Sequence, residues 1–292
     1  MFLVLILFLI GIIIGSFLNC LIYRLEIDYI KRHIKTTKFV PQTYVSKSPL
    51  LQRREGGVED KGRSFLRGHS YCPDCKHILS WIDLIPILSF WFLKGKCRYC
   101  SKKISWQYPL VEAATGLLFL LVFYFQPSPM LSFSYYLIIS CFLIVVFVYD
   151  LKHYIIPDKI IYPAIGLSLF YQLLKFLIQL NENGKGMDFG LVQDLGFGIL
   201  PSLFFLAIIL HSRGQWMGFG DFKLAILMGL ILGWPDILVA LFLAFLIGAL
   251  VGLGLIILRK KTLKSEIPFA PFLVTGTFIA MFLGRDIFNW FL

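Results

Sequence analysis

Four cysteines in two close pairs have the spacing of a metal site. Cys72 and Cys75 form one CxxC pair, and Cys97 and Cys100 form a second pair 21 residues later. Two such pairs are typical of tetrahedral zinc sites, in which each pair supplies two thiolates to one ion. Four cysteine ligands leave no open position, so the predicted zinc is structural. The alternatives are two disulfides, which a reducing cytoplasm disfavours, and a redox-active pair.

Two aspartates lie where apolar runs meet short polar loops. Asp150 and Asp221 are 71 positions apart, and both fall at the edge of a predicted span. A carboxylate inside a span costs about 2.5–3.5 kcal/mol on insertion scales, so such residues need a role. Two carboxyls that share a proton can split a peptide bond, because one activates water while the other protonates the carbonyl oxygen. The alternative is that Asp150 is a solvated charge beside Lys152 or His153, and that Asp221 complements a helix dipole.

Other residues near these acids have weaker assignments. Gly218 and Gly220 precede Asp221 and would let a substrate backbone approach closely. Asp158 follows a proline and is expected to cap a helix. Glu112 is expected in the first turn of a helix, where it complements the dipole or contacts substrate.

The elements that must position these side chains are apolar helices. Of 292 residues, 58% are hydrophobic and 15% are charged, against about 45–50% and 25% in soluble domains. Continuous apolar runs exclude an outer-membrane barrel, whose strands alternate. The fold class is therefore an all-α polytopic membrane protein with about eight transmembrane helices. The predicted spans are Phe2–Ile22, Pro109–Phe125, Leu131–Tyr149, Ile160–Leu180, Phe189–Leu210, Phe219–Gly233, Ile237–Leu258 and Pro268–Leu283.

The charge distribution predicts the topology. Between Arg24 and Gln107 there are 17 Lys and Arg against 7 Asp and Glu, which is nearly all of the net charge of +11. The short loops placed inside carry eight basic residues and the outer ones two, as the positive-inside rule expects. We therefore predict a cytoplasmic basic loop and no nucleic-acid partner. Within it, the Trp- and Phe-rich stretch 81–93 is too short to span and is expected to lie against the membrane.

Several motifs occur in an order that is highly specific. The sequence resembles the bacterial type IV prepilin peptidases, bifunctional leader peptidases and N-methyltransferases of pilus and type II secretion systems, over most of its length. The motifs that carry this resemblance are Gly15-Ser-Phe-Leu-Asn19-Cys-Leu-Ile-Tyr23-Arg24, the two CxxC pairs, Ile104-Ser-Trp-Gln-Tyr108-Pro-Leu-Val-Glu112, Asp150…Pro157-Asp158, Gly218-Phe-Gly220-Asp221 and Ile267-Pro-Phe-Ala-Pro271.

The resemblance implies a function for the predicted sites. Asp150 and Asp221 would be the catalytic pair, in a fold similar to that of the GxGD intramembrane aspartyl proteases. The four cysteines would bind Zn²⁺, and S-adenosylmethionine would methylate the new N-terminal amine, although no donor-binding residue is assigned. The implied partners are prepilins or pseudopilins and membrane lipid, and the implied location is the bacterial inner membrane. The family typically has glycine where this chain has Ala270.

The resemblance also divides the chain into three regions. Residues 1–23 would form the first transmembrane helix, residues 24–107 a cytoplasmic loop with the zinc module and the implied methyltransferase region, and residues 108–292 a seven-helix peptidase domain. Residues 28–68 match the family least and are expected to form a flexible loop. Two other functions compete with the peptidase: an ion-coupled transporter with a zinc-stabilised loop, and an assembly factor without chemistry. Transport predicts polar residues at the middle depth of several helices.

Overall fold

Helices account for nearly all the regular structure. A computed structural model describes residues 2–36, 70–126, 129–183, 190–214, 217–260, 262, 265 and 267–291. One turn of 3₁₀ helix covers Trp81–Leu84. The α-helices are α1 (Phe2–Thr36), α2 (Leu88–Phe92), α3 (Gln107–Phe125), α4 (Met130–His153), α5 (Asp158–Asn183), α6 (Gly190–Ser212), α7 (Phe219–Leu232), α8 (Asp236–Ile257) and α9 (Ala270–Phe291).

Every predicted span overlaps one of these helices. Six of them, all except α6 and α7 among the longer helices, are long and apolar enough to cross a membrane. The chain is therefore a multi-pass membrane protein of all-α class, as predicted. The count of eight spans stays a prediction. The helix α7 has only 14 residues, and the structure does not describe the side chains of many residues in the first half of α6.

The first helix is longer than its apolar run. Hydrophobicity predicts an end at Ile22, but α1 continues to Thr36. No glycine or proline occurs between residues 24 and 36, so nothing in the local sequence breaks the helix once it has left the apolar run. Part of the stretch 28–68 is thus helical, and residues 37–69 lie outside the described residues.

The chain divides into two compact units, Met1–Leu120 and Leu121–Leu292. In the first unit, small residues bring α1 and α3 together. A Cβ added at Gly11 would lie 2.7 Å from Gly116 Cα, and one at Gly15 would lie 2.7 Å from Glu112 Cα. Such close backbone approach drives helix association in lipid, where apolar burial gives no advantage.

The second unit is a bundle in which α4 packs against α5 and α9, α5 and α6 pack against α7, and α8 packs along α9. Its interior is not wholly apolar. The Tyr135 hydroxyl donates to Ser168 Oγ at 2.9 Å, and Gln172 Nε2 donates to the carbonyl of Leu230 at 2.9 Å. These side chains are uncharged and join α4, α5 and α7. They therefore contribute to helix packing.

A tight contact between α8 and α9 yields a stability prediction. A Cβ at Gly276 would lie 3.2 Å from the backbone atoms Ala240 C and Ala244 N. Gly276→Ala must push α9 away from α8, so we expect it to lower stability by about 1–3 kcal/mol, measured as thermal unfolding in detergent. The matched control is Gly254→Ala, because no described residue would lie within 4 Å of a Cβ added there. Equal melting temperatures for the two variants would contradict this packing.

Candidate active site and metal centre

The two CxxC pairs occupy two hairpins with the same backbone pattern. In the first, Cys72 N–H donates to the carbonyl of His77 at 3.0 Å. In the second, Cys97 N–H donates to the carbonyl of Lys102 at 2.8 Å. The hydrogen bonds that close both hairpins, Leu79 N–H to Ser70 O and Ile104 N–H to Gly95 O, are also equivalent. Residues 70–79 and 95–104 thus form a structural repeat that the sequence analysis did not find.

The hairpins bring the four cysteine sulfurs together. The Sγ atoms of Cys72, Cys75, Cys97 and Cys100 all lie within 4.8 Å of one another. Cys72 Sγ and Cys100 Sγ are 3.8 Å apart, close to the separation of two thiolates bound at about 2.3 Å to one tetrahedral Zn²⁺. All six cysteines of the chain are free thiols. The cluster can therefore hold a metal ion such as zinc.

Backbone donors favour the thiolate form at the second hairpin. Burial alone would raise the pKa of Cys97, but hydrogen bonds from the N–H groups of Cys100 and Tyr99 outweigh it, and the pKa falls to about 7. A thiol with this pKa is readily deprotonated when a metal binds.

Contacts between the hairpins hold them in register. The ring of His77 lies against that of Tyr99, with centroids 3.7 Å apart, and Lys102 Nζ donates to Asp74 Oδ1 at 3.0 Å. Asp83, in the segment between the hairpins, accepts from Arg98 Nε at 2.8 Å. These contacts support the geometry of the sulfurs independently of any ion.

Asp150 lies near the C-terminal end of α4 and is only 4% exposed. Its carboxylate accepts a hydrogen bond from the backbone N–H of Ala270, the first residue of α9. Asp150 is therefore buried within a helix and is not a solvated loop charge beside Lys152. The backbone N–H of Ala270, which sequence reasoning missed as part of this site, is one of the free donors that every helix N-terminus offers.

Asp221 lies in the first turn of α7, half-buried. The negative charge of Asp150 acts on Asp221, so the two carboxyls lie within electrostatic reach of each other. Like charges in close contact disfavour double ionisation. The structure thus brings the two acids that the sequence analysis selected within electrostatic reach, although they are 71 positions apart in the sequence.

The two glycines before Asp221 have different environments. A Cβ at Gly220 would lie 3.1 Å from Ile156 Cβ, so this glycine allows α7 to approach the segment between α4 and α5. Among the described residues, a Cβ added at Gly218 would have only Gly220 N within 4 Å, at 3.9 Å, and the backbone there is extended, with φ −77° and ψ 150°. Of these two glycines, Gly218 therefore has the more open surroundings.

Asp158 and Glu112 both have partners distant in sequence. Asp158, in the first turn of α5, accepts from Lys223 Nζ at 2.6 Å, and this contact ties α5 to α7 two residues after Asp221. Glu112 is buried and accepts from the backbone N–H of Ile87 at 2.7 Å. Each carboxylate thus bridges two elements. The first-turn position predicted for Glu112 is wrong, because α3 begins at Gln107 and has no acid in its first turn. Asp158 is the first residue of α5 and not the residue before the helix that would cap it.

An apolar groove of about 360 Å³ lies beside Asp150. Phe147 and Leu151 of α4 line one side, and Pro268 and Pro271, which flank Ala270, line another. The groove is therefore lined by chain neighbours of Asp150 and Ala270, but neither of these two residues lines it. Its described lining is apolar except for the hydroxyl groups of Tyr154 and Thr275.

Comparisons with known proteins cover nearly the whole chain. Residues 9–126 match the bacterial Peptidase A24 N-terminal domain, and residues 137–253 match the Type IV leader peptidase family. The chain is also similar to proteins named prepilin leader peptidase/N-methyltransferase. It is 32% identical to the one from Aeromonas hydrophila and 33% identical to the one from Aeromonas salmonicida (strain A449). Each of these alignments covers 98% of this chain and 92% of the relative. The protein of that name from Legionella pneumophila is 29% identical over all of this chain and 95% of its own length. No solved structure matches the chain significantly.

The four-sulfur cluster predicts the metal content of the purified protein. We expect about one ion per chain, measured by elemental analysis after gentle purification. Cys72→Ser and Cys97→Ser should lose the ion, because three thiolates no longer close the tetrahedron. Cys20→Ser and Cys141→Ser are the matched controls, since neither cysteine belongs to the cluster. Wild-type protein with less than about half an equivalent would contradict a four-thiolate site.

Proposed function

The chain belongs to the type IV leader peptidase family, and from that premise we propose that it cleaves the leader from type IV prepilins or pseudopilins with Asp150 and Asp221 as its catalytic pair. The observation that carries this proposal is the proximity of the two carboxyls, one from the end of α4 and one from the start of α7. An enzyme of this family needs a hydrolytic group, and a pair of acids that share a proton supplies both a base and an acid.

The proposed reaction balances around one shared proton. The ionised aspartate removes a proton from water, whose oxygen attacks the peptide carbonyl carbon. The protonated aspartate donates to the carbonyl oxygen, and the tetrahedral intermediate then collapses as the C–N bond breaks. The leaving nitrogen takes up the proton that the first aspartate removed from water, and a hydroxyl group of the intermediate returns a proton to the other aspartate. The products are a carboxylic acid and a free amine, and the pair again holds one proton. The hydrogen bond from Ala270 N–H keeps the Asp150 carboxylate oriented through these steps.

The site has an open approach for an extended substrate. Gly218 precedes the first turn of α7 and has free space around it. The ion pair between Lys223 and Asp158 connects this part of α7 to the first turn of α5. We infer that substrate backbone passes beside Gly218.

We further propose that the aspartates face the cytoplasm from the bacterial inner membrane. The excess of Lys and Arg in the loops assigned to that side supports this orientation. A cytoplasmic site suits a leader that stays on that side while the rest of the substrate enters the membrane.

For the metal centre, we propose that the ion is Zn²⁺ and that its role is structural. The described cluster supplies four sulfur ligands, which leaves no position for water or substrate. The ion would fix the two hairpins of a polar module that has little apolar core of its own.

Methylation of the new N-terminal amine is also proposed, since the relatives carry N-methyltransferase in their names. S-adenosylmethionine would supply an electrophilic methyl group. The apolar groove beside Asp150 does not fit this donor, because its lining offers only two hydroxyl groups to a molecule with a carboxylate, an ammonium and an adenine. No residue of this chain is therefore assigned to the donor.

The aspartate pair is tested with matched amide variants. Asp150→Asn and Asp221→Asn keep the side-chain shape but cannot share a proton, so we expect each to abolish leader removal from a prepilin in detergent. Asp286→Asn is the control, since Asp286 is exposed in α9. Mass spectrometry of the product reports cleavage and, with added S-adenosylmethionine, a gain of one methyl. Leader removal that survives in either Asp150→Asn or Asp221→Asn would end the two-aspartate proposal.

A second prediction separates the two glycines. Gly218→Ala adds a methyl group in open space, so we expect unchanged thermal stability but a lower kcat/KM for prepilin cleavage. Gly220→Ala must displace Ile156, so it should lower the melting temperature as well as activity. Full activity of Gly218→Ala would show that substrate does not pass beside this position.

A further inference from the structure

The segment between the two metal-binding hairpins exposes large apolar side chains. Trp81, Trp91 and Phe92 are 75%, 72% and 82% exposed, and Leu88 is also exposed. We define residues 81–93 as the aromatic segment. Asp83 is its one charged residue, and the side chain of Asp83 is only 3% exposed because it turns inward to Arg98. The outward surface of the segment is thus free of charge.

The aromatic segment is attached to the first turns of a membrane-spanning helix. Glu112 lies early in α3 and accepts the N–H of Ile87 at 2.7 Å. The ring of Phe90 also lies against that of Trp106, just before α3, with centroids 4.9 Å apart. The segment is therefore held at the level where α3 enters the membrane.

The backbone at Ile87 shows that this attachment is specific. Ile87 has φ +58° and ψ −52°, a positive-φ conformation that is strongly disfavoured for a β-branched residue. Its N–H nevertheless meets a buried carboxylate, which also accepts from Ser16 of α1. The unusual turn thus aims the donor at Glu112 and leaves α2 to carry Trp91 and Phe92 outward.

Cationic side chains follow the aromatic segment directly. Residues 94–103 contain five Lys and Arg and no acid, and Lys94, Lys96 and Lys103 are exposed. An uncharged surface rich in Trp and Phe, beside exposed lysines, matches the headgroup region of a bilayer that contains anionic lipid.

From these contacts we propose that the aromatic segment is a membrane-interface anchor, seated in the lipid headgroup region by the Glu112–Ile87 hydrogen bond. Its partner is lipid, and its effect is to hold the metal module against the bilayer surface. The carboxylate of Glu112 acts as a positioning group and takes no part in chemistry.

Photocrosslinking tests the lipid contact. Full-length protein with p-benzoylphenylalanine in place of Phe92 is placed in nanodiscs of phosphatidylethanolamine and phosphatidylglycerol, irradiated and weighed by mass spectrometry. The lipid-facing reference is the same probe at Leu117, which is exposed in α3, and the aqueous reference is the probe at Lys76 of the first hairpin. We expect abundant lipid adducts at positions 92 and 117. Lipid adducts at position 92 no more abundant than at position 76, or crosslinks to a second copy or to another part of the chain, would overturn the proposal.

Two substitutions of Glu112 test the attachment itself. Glu112→Gln keeps an acceptor oxygen for Ile87 N–H, whereas Glu112→Met keeps the length but has none. With the probe at position 92, we expect Glu112→Met to reduce lipid adducts about fivefold, as the loss of one hydrogen bond allows, and Glu112→Gln to retain them. The adduct at position 117 reports whether α3 remains inserted. Unchanged adducts at position 92 in Glu112→Met would show that Glu112 does not hold the segment.

Discussion

Buried carboxylates that accept backbone N–H groups hold the key segments of this protein in place. Asp150 accepts from Ala270, and Glu112 accepts from Ile87. Asp83 accepts from the N–H and hydroxyl of Ser80 as well as from Arg98, and these bonds lower its pKa although burial opposes ionisation. A charge removed from water is costly unless donors surround it. Each acid therefore fixes the position of the segment that supplies its donors.

The candidate active site follows from where helices begin and end. Asp150 lies in the last turn but one of α4, Asp221 lies in the first turn of α7, and α9 begins at Ala270. The first turns of α7 and α9 have free N–H groups and a partial positive charge, which stabilise acids placed there. The middle of a helix has no such donors, so the edge of the bundle is where two acids can meet at an acceptable energy.

The metal centre depends on a different constraint, the equivalence of two short hairpins. Lys76 and Ser101, each the residue after the second cysteine of a pair, have φ near +60°. This conformation turns the chain back after each pair, where Lys76 N–H donates to Cys72 O and Ser101 N–H donates to Cys97 O. The repeat is invisible in the sequence because the hairpins share little beyond their cysteines, and because backbone hydrogen bonds place few demands on residue type.

Local signals were enough to predict the membrane helices and to select the residues proposed for both candidate sites. Apolar runs mark the spans because lipid leaves the backbone no other way to satisfy its hydrogen bonds, and CxxC spacing marks the cluster because two thiols so close in sequence can bind one ion. The end of α1 at Thr36 was missed, since hydrophobicity says nothing about how far a helix extends into water.

Contacts between distant residues could not be inferred in this way. The donors to Asp150 and Glu112, the packing of Gly220 on Ile156 and the pairing of Lys223 with Asp158 each join elements well separated along the chain. Composition and spacing are properties of neighbours in sequence, so they establish which residues are capable of chemistry and which segments cross the membrane. The partner of a buried polar group depends on how helices pack, and packing is settled by side-chain shape across the whole bundle.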